Sequence, residues 1–140
     1  PALIPDDYLG DVHQRLLFYK RISNTDTQEK LDNIRMELID RFGIPPQAVK
    51  QLFSVHQVRL KAEQLGITKV DVNTNGGYIE FSPDTPVQAI SIIQLMQKNP
   101  THYRMEGGQR LKLTVHLSEY EERIQFIVTL LNKLLSELNG

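Results

Sequence analysis

Apolar residues recur at helical spacing through the first half of the chain, alternate through its middle, and return to helical spacing at the end. A first short helix is predicted from Asp11 to Ile22, with Val12, Leu16 and Tyr19 on one stripe, and Ser23-Asn24-Thr25 breaks it. Thr25 with Gln28, or Asp26 with Glu29, has the capping-box spacing that opens a second helix. Its stripe is Leu31, Ile34, Leu38 and Phe42, and Gly43 supplies the left-handed stop ahead of Pro45 and Pro46. A third helix enters through Pro46, because the first turn leaves its N–H groups unpaired in any case, and continues through Leu52, Val55, Leu60 and Ala62 to Leu65-Gly66.

The period then falls to two. Thr68, Val70 and Val72 alternate with Lys69 and Asp71, Asn73 to Gly77 turn the chain, and Tyr78 to Phe81 alternate in their turn, which predicts a hairpin with Gly76-Gly77 in the bend. Thr85 before Pro86 opens a fourth helix carrying Val87, Ile90 and Ile93, stopped at Asn99-Pro100. A second hairpin runs from Tyr103 to Met105, through Gly107-Gly108, to Leu111, Leu113 and Val115, with Arg110, Lys112 and Thr114 on its other face. The last helix starts at a Ser118-to-Glu121 capping box and carries Tyr120, Ile124, Ile127, Leu131, Leu134 and Leu138, widened by Phe126, Val128, Leu130 and Leu135. Such a stripe suits a helix laid across a sheet; a partner-binding or coiled-coil helix is the other reading. The expected fold is therefore α+β, a small antiparallel sheet of two hairpins packed with about five helices. It reads as one domain over residues 1–140, with 1–10 an extended N-terminal arm whose Leu3, Ile4 and Tyr8 pack onto the body.

Composition narrows the function classes. With 16 basic and 17 acidic residues the net charge is −1, which lacks the basic excess of phosphate-dominated DNA binding. The chain has no cysteine, so disulfides, thiolate metal sites and thiol nucleophiles are all excluded. No apolar run reaches the roughly 20 residues of a membrane span, and a cytoplasmic location is the default expectation. The histidines His13, His56, His102 and His116 are scattered without metal-ligand spacing. Neither glycine pair is followed by the Lys-Ser/Thr of a phosphate loop, and no serine sits in a nucleophile elbow. No catalytic residue, metal or cofactor is expected.

One charge constellation remains. Glu37 and Asp40 are three apart on the second helix and face away from its apolar stripe. The plain interpretation pairs Glu37 with Arg41 at i,i+4 and leaves Asp40 solvated. A third possibility for the chain is nucleic-acid contact through Arg104, Arg110 and Lys112, against which stands the ordinary solvated face of an antiparallel sheet.

The sequence P-A-L-I-P-D-D-Y at the start, R-L-L-F-Y-K-R-I, E-L-I-D-R-F-G from Glu37 to Gly43, L-G-I-T-K-V, G-G-Y-I-E-F and H-Y-R-M together resemble the C-terminal domain of the bacterial transcription-repair coupling factors (Mfd). The resemblance implies a non-catalytic regulatory domain of an ATP-dependent DNA translocase, and a chain that is part of a longer protein. It implies that the domain rests on an N-terminal UvrB-like module, masks the UvrA-binding surface there, and restrains ATPase and translocation until RNA polymerase is engaged. Glu37 and Asp40 match the carboxylates that such a domain offers to arginines of that module. The alternative it leaves open is an interaction module that binds RNA polymerase or a repair factor directly after release.

Overall fold

Asp11 opens the first helix: its carboxylate accepts from the backbone N–H groups of His13 at 2.8 Å and Gln14 at 3.4 Å. The computed structural model describes residues 3–138, and the chain divides into two compact units, 1–60 and 61–140. The first unit holds α1 (Val12–Ser23), α2 (Gln28–Phe42) and most of α3 (Gln47–Gln64).

α1 buries Phe18 and Ile22 and leaves Val12, Leu16 and Leu17 more than half exposed, so the expected Val12/Leu16/Tyr19 stripe is rotated. Four consecutive apolar residues, Leu16 to Tyr19, allow several i,i+4 stripes. The fold takes the one that buries Phe18 most completely, while the half-buried Tyr19 uses its hydroxyl to accept from the Ile4 N–H.

α2 is capped by Thr27, whose side chain accepts from the Lys30 N–H at 3.2 Å, rather than by Thr25 or Asp26. Thr27 has the extended backbone that a cap requires. Thr25 is buried instead, donating to the Ile22 carbonyl at 2.6 Å, and Asp26 pairs with Lys30 at 2.8 Å. Leu31, Ile34 and Leu38 are buried and Phe42 packs against them, as the periodicity requires. At Gly43 φ reaches +89°, a value that disfavours any side chain, and the helix ends there.

α3 contributes Val49, Leu52, Phe53 and Leu60 to the same core, but Val55, expected there, is 48% exposed. The described part of the N-terminal segment turns rather than extends: the N–H groups of Tyr8 and Leu9 both donate to the Pro5 carbonyl. Ile4 and Leu9 are buried, Leu3 is exposed, and the Tyr8 hydroxyl donates to the Gly43 carbonyl at 2.8 Å. Pro1 and Ala2 lie outside the described residues.

The second unit contains β1 (Ile67–Asn73), β2 (Gly76–Phe81), α4 (Ala89–Lys98), β3 (Tyr103–Glu106), β4 (Arg110–Thr114) and α5 (Tyr120–Leu138). Both predicted hairpins form, and β2 pairs with β4 to join them into one antiparallel sheet of order β1-β2-β4-β3. Ile79, Phe81, Leu111, Leu113 and Tyr103 point to the buried side.

Gly76 and Gly77 are not the bend. They pair with Asn73 and Val72 within the ladder, and Thr74-Asn75 make the turn. A Cβ on Gly76 would sit 2.0 Å from the Leu113 carbonyl oxygen, and one on Gly77 1.9 Å from that of Asp71, so close strand approach explains both residues.

α4 starts later than expected because Thr85 is occupied, donating to the Leu65 carbonyl at 2.5 Å and accepting from the Val87 N–H at 3.2 Å. The helix buries Ser91, Ile92 and Leu95; Ile90 and Ile93, expected in the core, are exposed. α5 buries Ile127, Leu130, Leu131 and Leu134, and Phe126 stacks on Tyr103 with ring centroids 6.2 Å apart, which sets this helix against the inward face of the sheet. Its opening turn is closed by Glu122 rather than Glu121: the Glu122 carboxylate accepts from the Glu119 N–H at 3.2 Å and from the Ser118 hydroxyl at 3.1 Å. Among the described residues no helix is long and apolar enough to cross a membrane.

Candidate functional site

The two carboxylates singled out on α2 have different surroundings. Glu37 is gripped from α1 by Arg21, whose Nη2 donates to Oε1 at 2.7 Å and whose Nη1 donates to Oε2 at 2.9 Å. Arg41, one turn on, donates from Nη1 to the same Oε2 at 3.2 Å. The expected i,i+4 pair is thus present, but the tighter, two-pronged bond comes from the neighbouring helix. Asp40 is exposed and has no side-chain hydrogen bond or ion pair among the described residues.

Arg41 is anchored by more than Glu37. Its guanidinium lies 5.0 Å from the Phe42 ring centre and 5.6 Å from that of Phe18, and Nη2 donates to Gln14 Oε1 at 3.3 Å. Arg21 lies over the same Phe18 ring, 5.0 Å from its centre. Buried Phe18 is therefore the floor on which both guanidinium groups stand.

The C-terminal end of α1, which carries Arg21, is fixed by Arg59 of α3. This side chain donates to the carbonyls of Ile22 and Thr25, each at 3.3 Å, and from Nε to His56 Nδ1 at 3.0 Å. His56 accepts that bond in its neutral form, and burial together with the adjacent guanidinium lowers its pKa.

Hydrogen bonding from Arg21 is the largest influence on Glu37. Together with Arg41 it outweighs desolvation and brings the carboxyl from its ordinary 4.5 down to about 2. The folded-state value lies below the unfolded one, so the pair stabilises fully above about pH 4.5 and is lost as pH falls towards 2. Because the Glu37 side chain is 35% exposed, solvent screening limits the contribution to under about 1 kcal/mol. Urea midpoints measured from pH 6 to pH 2.5 are expected to fall more steeply for the parent chain than for Glu37→Gln. Parallel curves would mean that the ion pair does not contribute.

The sequence expectation does not include Arg21, because a Val12/Leu16/Tyr19 stripe turns a different face of α1 inward. Had Phe18 and Ile22 been taken as inward, Arg21, three residues after Phe18, would have fallen beside the α1–α2 seam. Nothing in the sequence announces Arg59 as a tie between α3 and the end of α1.

The other predicted polar set lies on the open face of the sheet. Arg110 donates to Glu80 at 2.9 Å and stacks 3.9 Å above the Tyr78 ring, while Arg104 and Lys112 approach Glu106 at 3.4 Å and 3.6 Å. Each of these cations has an acidic neighbour, which makes the face a charge-alternating one rather than a cationic track.

A family model of the TRCF domain matches residues 1–92. The chain is 46% identical over 134 residues to the transcription-repair-coupling factor of Haemophilus influenzae and 42% identical over 134 residues to that of Escherichia coli K12. In each case the match covers 96% of this chain and 12% of the relative, so the chain spans about an eighth of the length of these proteins. A crystal structure of the C-terminal domain of transcription-repair coupling factor superposes with a TM-score of 0.81 at 22% identity, covering 96% of this chain and 87% of that one, which establishes the common fold. The chain belongs to the TRCF domain family found in the transcription-repair coupling factors.

Proposed function

We propose that the chain is a regulatory domain, with both units acting together, that clamps an N-terminal UvrB-like module of its parent protein through the acidic face of α2. In this reading the clamp masks the UvrA-binding surface and restrains ATPase and translocation until RNA polymerase is engaged. The observation that carries it is Asp40: an exposed carboxylate without a side-chain partner among the described residues, in the last turn of α2, where the helix dipole disfavours a negative charge by about 0.3–1 kcal/mol. A residue placed against its local electrostatics is well suited to meeting a cation from outside. The domain would work in the cytoplasm, as part of a DNA-repair translocase, without an active site of its own.

The test uses the full-length coupling factor carrying Asp40→Asn. UvrA binding and basal ATPase are expected to rise roughly tenfold, because the closed state loses an interaction that the open state never had. The same change should leave the stability of the isolated chain within about 0.5 kcal/mol, as at other exposed positions. Normal masking in a correctly folded variant would retire the assignment.

A second reading, direct binding of RNA polymerase or a repair factor after release, is favoured by Val12 and Leu16, which are over half exposed on α1 one turn apart. A complex with polymerase that is weakened by Leu16→Ser but not by Asp40→Asn would select it.

A further inference from the structure

We propose that Arg21 is an internal competitor for Glu37, and that it sets how strongly the α2 face takes a cationic partner; this rests on the reading of Glu37 and Asp40 as the clamp. A carboxylate has about four acceptor positions. On Glu37 three are taken, two by the fork of Arg21 and one by Arg41. The pair of positions facing Arg21 is what a second guanidinium would need for two parallel bonds, the geometry that makes arginine–carboxylate pairing strong. A partner arginine must therefore displace Arg21 or settle for a single contact.

Charge points the same way. Arg21, Glu37 and Arg41 together carry one net positive charge, which repels an incoming cation, whereas neighbouring Asp40 is negative and unengaged. The partner's cation is taken first by Asp40, and Glu37 joins when Arg21 turns away. Of the two arginines it is Arg21 that yields. Arg41 stays anchored by Phe18, Phe42 and Gln14 once Glu37 is removed, while among the described residues Arg21 keeps only its contact with the Phe18 ring. The exchange swaps a charge-assisted pair within the domain for one across the interface, so closing gains little pairing energy at Glu37 and the face can open again.

The experiment titrates this chain against the isolated N-terminal UvrB-like module of its parent protein at low salt, with Kd as the readout. Arg21→Gln keeps most of the side-chain stem and removes the charge, and it is expected to tighten binding by roughly 3- to 10-fold. Adding Glu37→Gln to it should abolish that gain, while Asp40→Asn should weaken binding by about tenfold with or without Arg21. Carboxyl NMR gives an independent readout: Arg21 holds the Glu37 carboxyl well below its ordinary range, so its titration should move upward in Arg21→Gln.

Unchanged or weaker binding by Arg21→Gln, with Asp40→Asn still weakening it, overturns the competitor role and leaves the clamp intact. If Asp40→Asn and Glu37→Gln also leave Kd unchanged, the clamp falls as well, and the two failures are told apart. Should Arg21→Gln fail to fold, Arg21→Lys replaces it: a lysine keeps the charge but cannot fork, and intermediate tightening is expected. No tightening with lysine in a folded chain counts against the proposal equally.

Discussion

Replacing Leu131 by Ala is expected to destabilise the chain by about 2–5 kcal/mol, the range for truncating a fully buried leucine. Leu131 has no exposed surface and stands in the middle of the buried stripe of α5, with Ile127 and Leu134 one turn away on either side. Removing its isobutyl group leaves a void that well-packed neighbours fill only in part. Urea unfolding should show a lower midpoint at an unchanged slope, while Thr129→Ala on the exposed side of the same helix should stay within about 0.5 kcal/mol. An unchanged midpoint for Leu131→Ala would mean that α5 is not core and that its apolar stripe serves a partner instead.

Gly77→Ala is expected to be at least as damaging, for a different reason. Its φ of +137° is a conformation that side chains rarely adopt, which alone contributes about 1–3 kcal/mol of strain. The added methyl would also lie 1.9 Å from the Asp71 carbonyl oxygen, and crowding of this kind adds about 1–3 kcal/mol where the neighbours can shift. Here the neighbour is backbone, so relief requires β1 to move off β2. Amide exchange along β1 should accelerate together with the loss of stability. Gly108→Ala makes the control, since no atom lies within 4 Å of a Cβ there and the expected change is within about 0.5 kcal/mol. Equal effects at both glycines would show that the close strand approach is not what Gly77 provides.

Periodicity revealed the kinds and order of the elements well, and their facing poorly. The stripe of α2 was legible because Leu31, Ile34 and Leu38 are separated by polar residues, leaving one possible inward face. α1 and α4 have adjacent apolar residues, Leu16 to Tyr19 and Ile92-Ile93, so several faces compete and only tertiary packing decides among them. The glycine pair after Asn75 fits a turn as well as a ladder, because a turn and a close ladder approach both call for glycine; the distinction lies in what stands opposite, which is Leu113 and Asp71. At the candidate site, the E-L-I-D-R-F-G motif identified Glu37 and Asp40 but could not separate them. What distinguishes the two residues is Arg21, sixteen positions before Glu37, and contacts between helices leave no local spacing rule to read.

The outermost strands of the sheet bear on how such a domain survives when it is free of any partner. An open edge offers unpaired N–H and C=O groups to any extended chain nearby, and long, flat, apolar edges invite aggregation. Here β1 is broken by a register shift between Ile67 and Lys69 and carries Lys69 and Asp71 on its outer face, while β3 is four residues long and bears Arg104 and Glu106. Irregularity guards one edge and brevity the other, with charge on both. The sheet is therefore a poor template for recruiting further strands, and its edges disfavour edge-to-edge pairing between copies of the free domain.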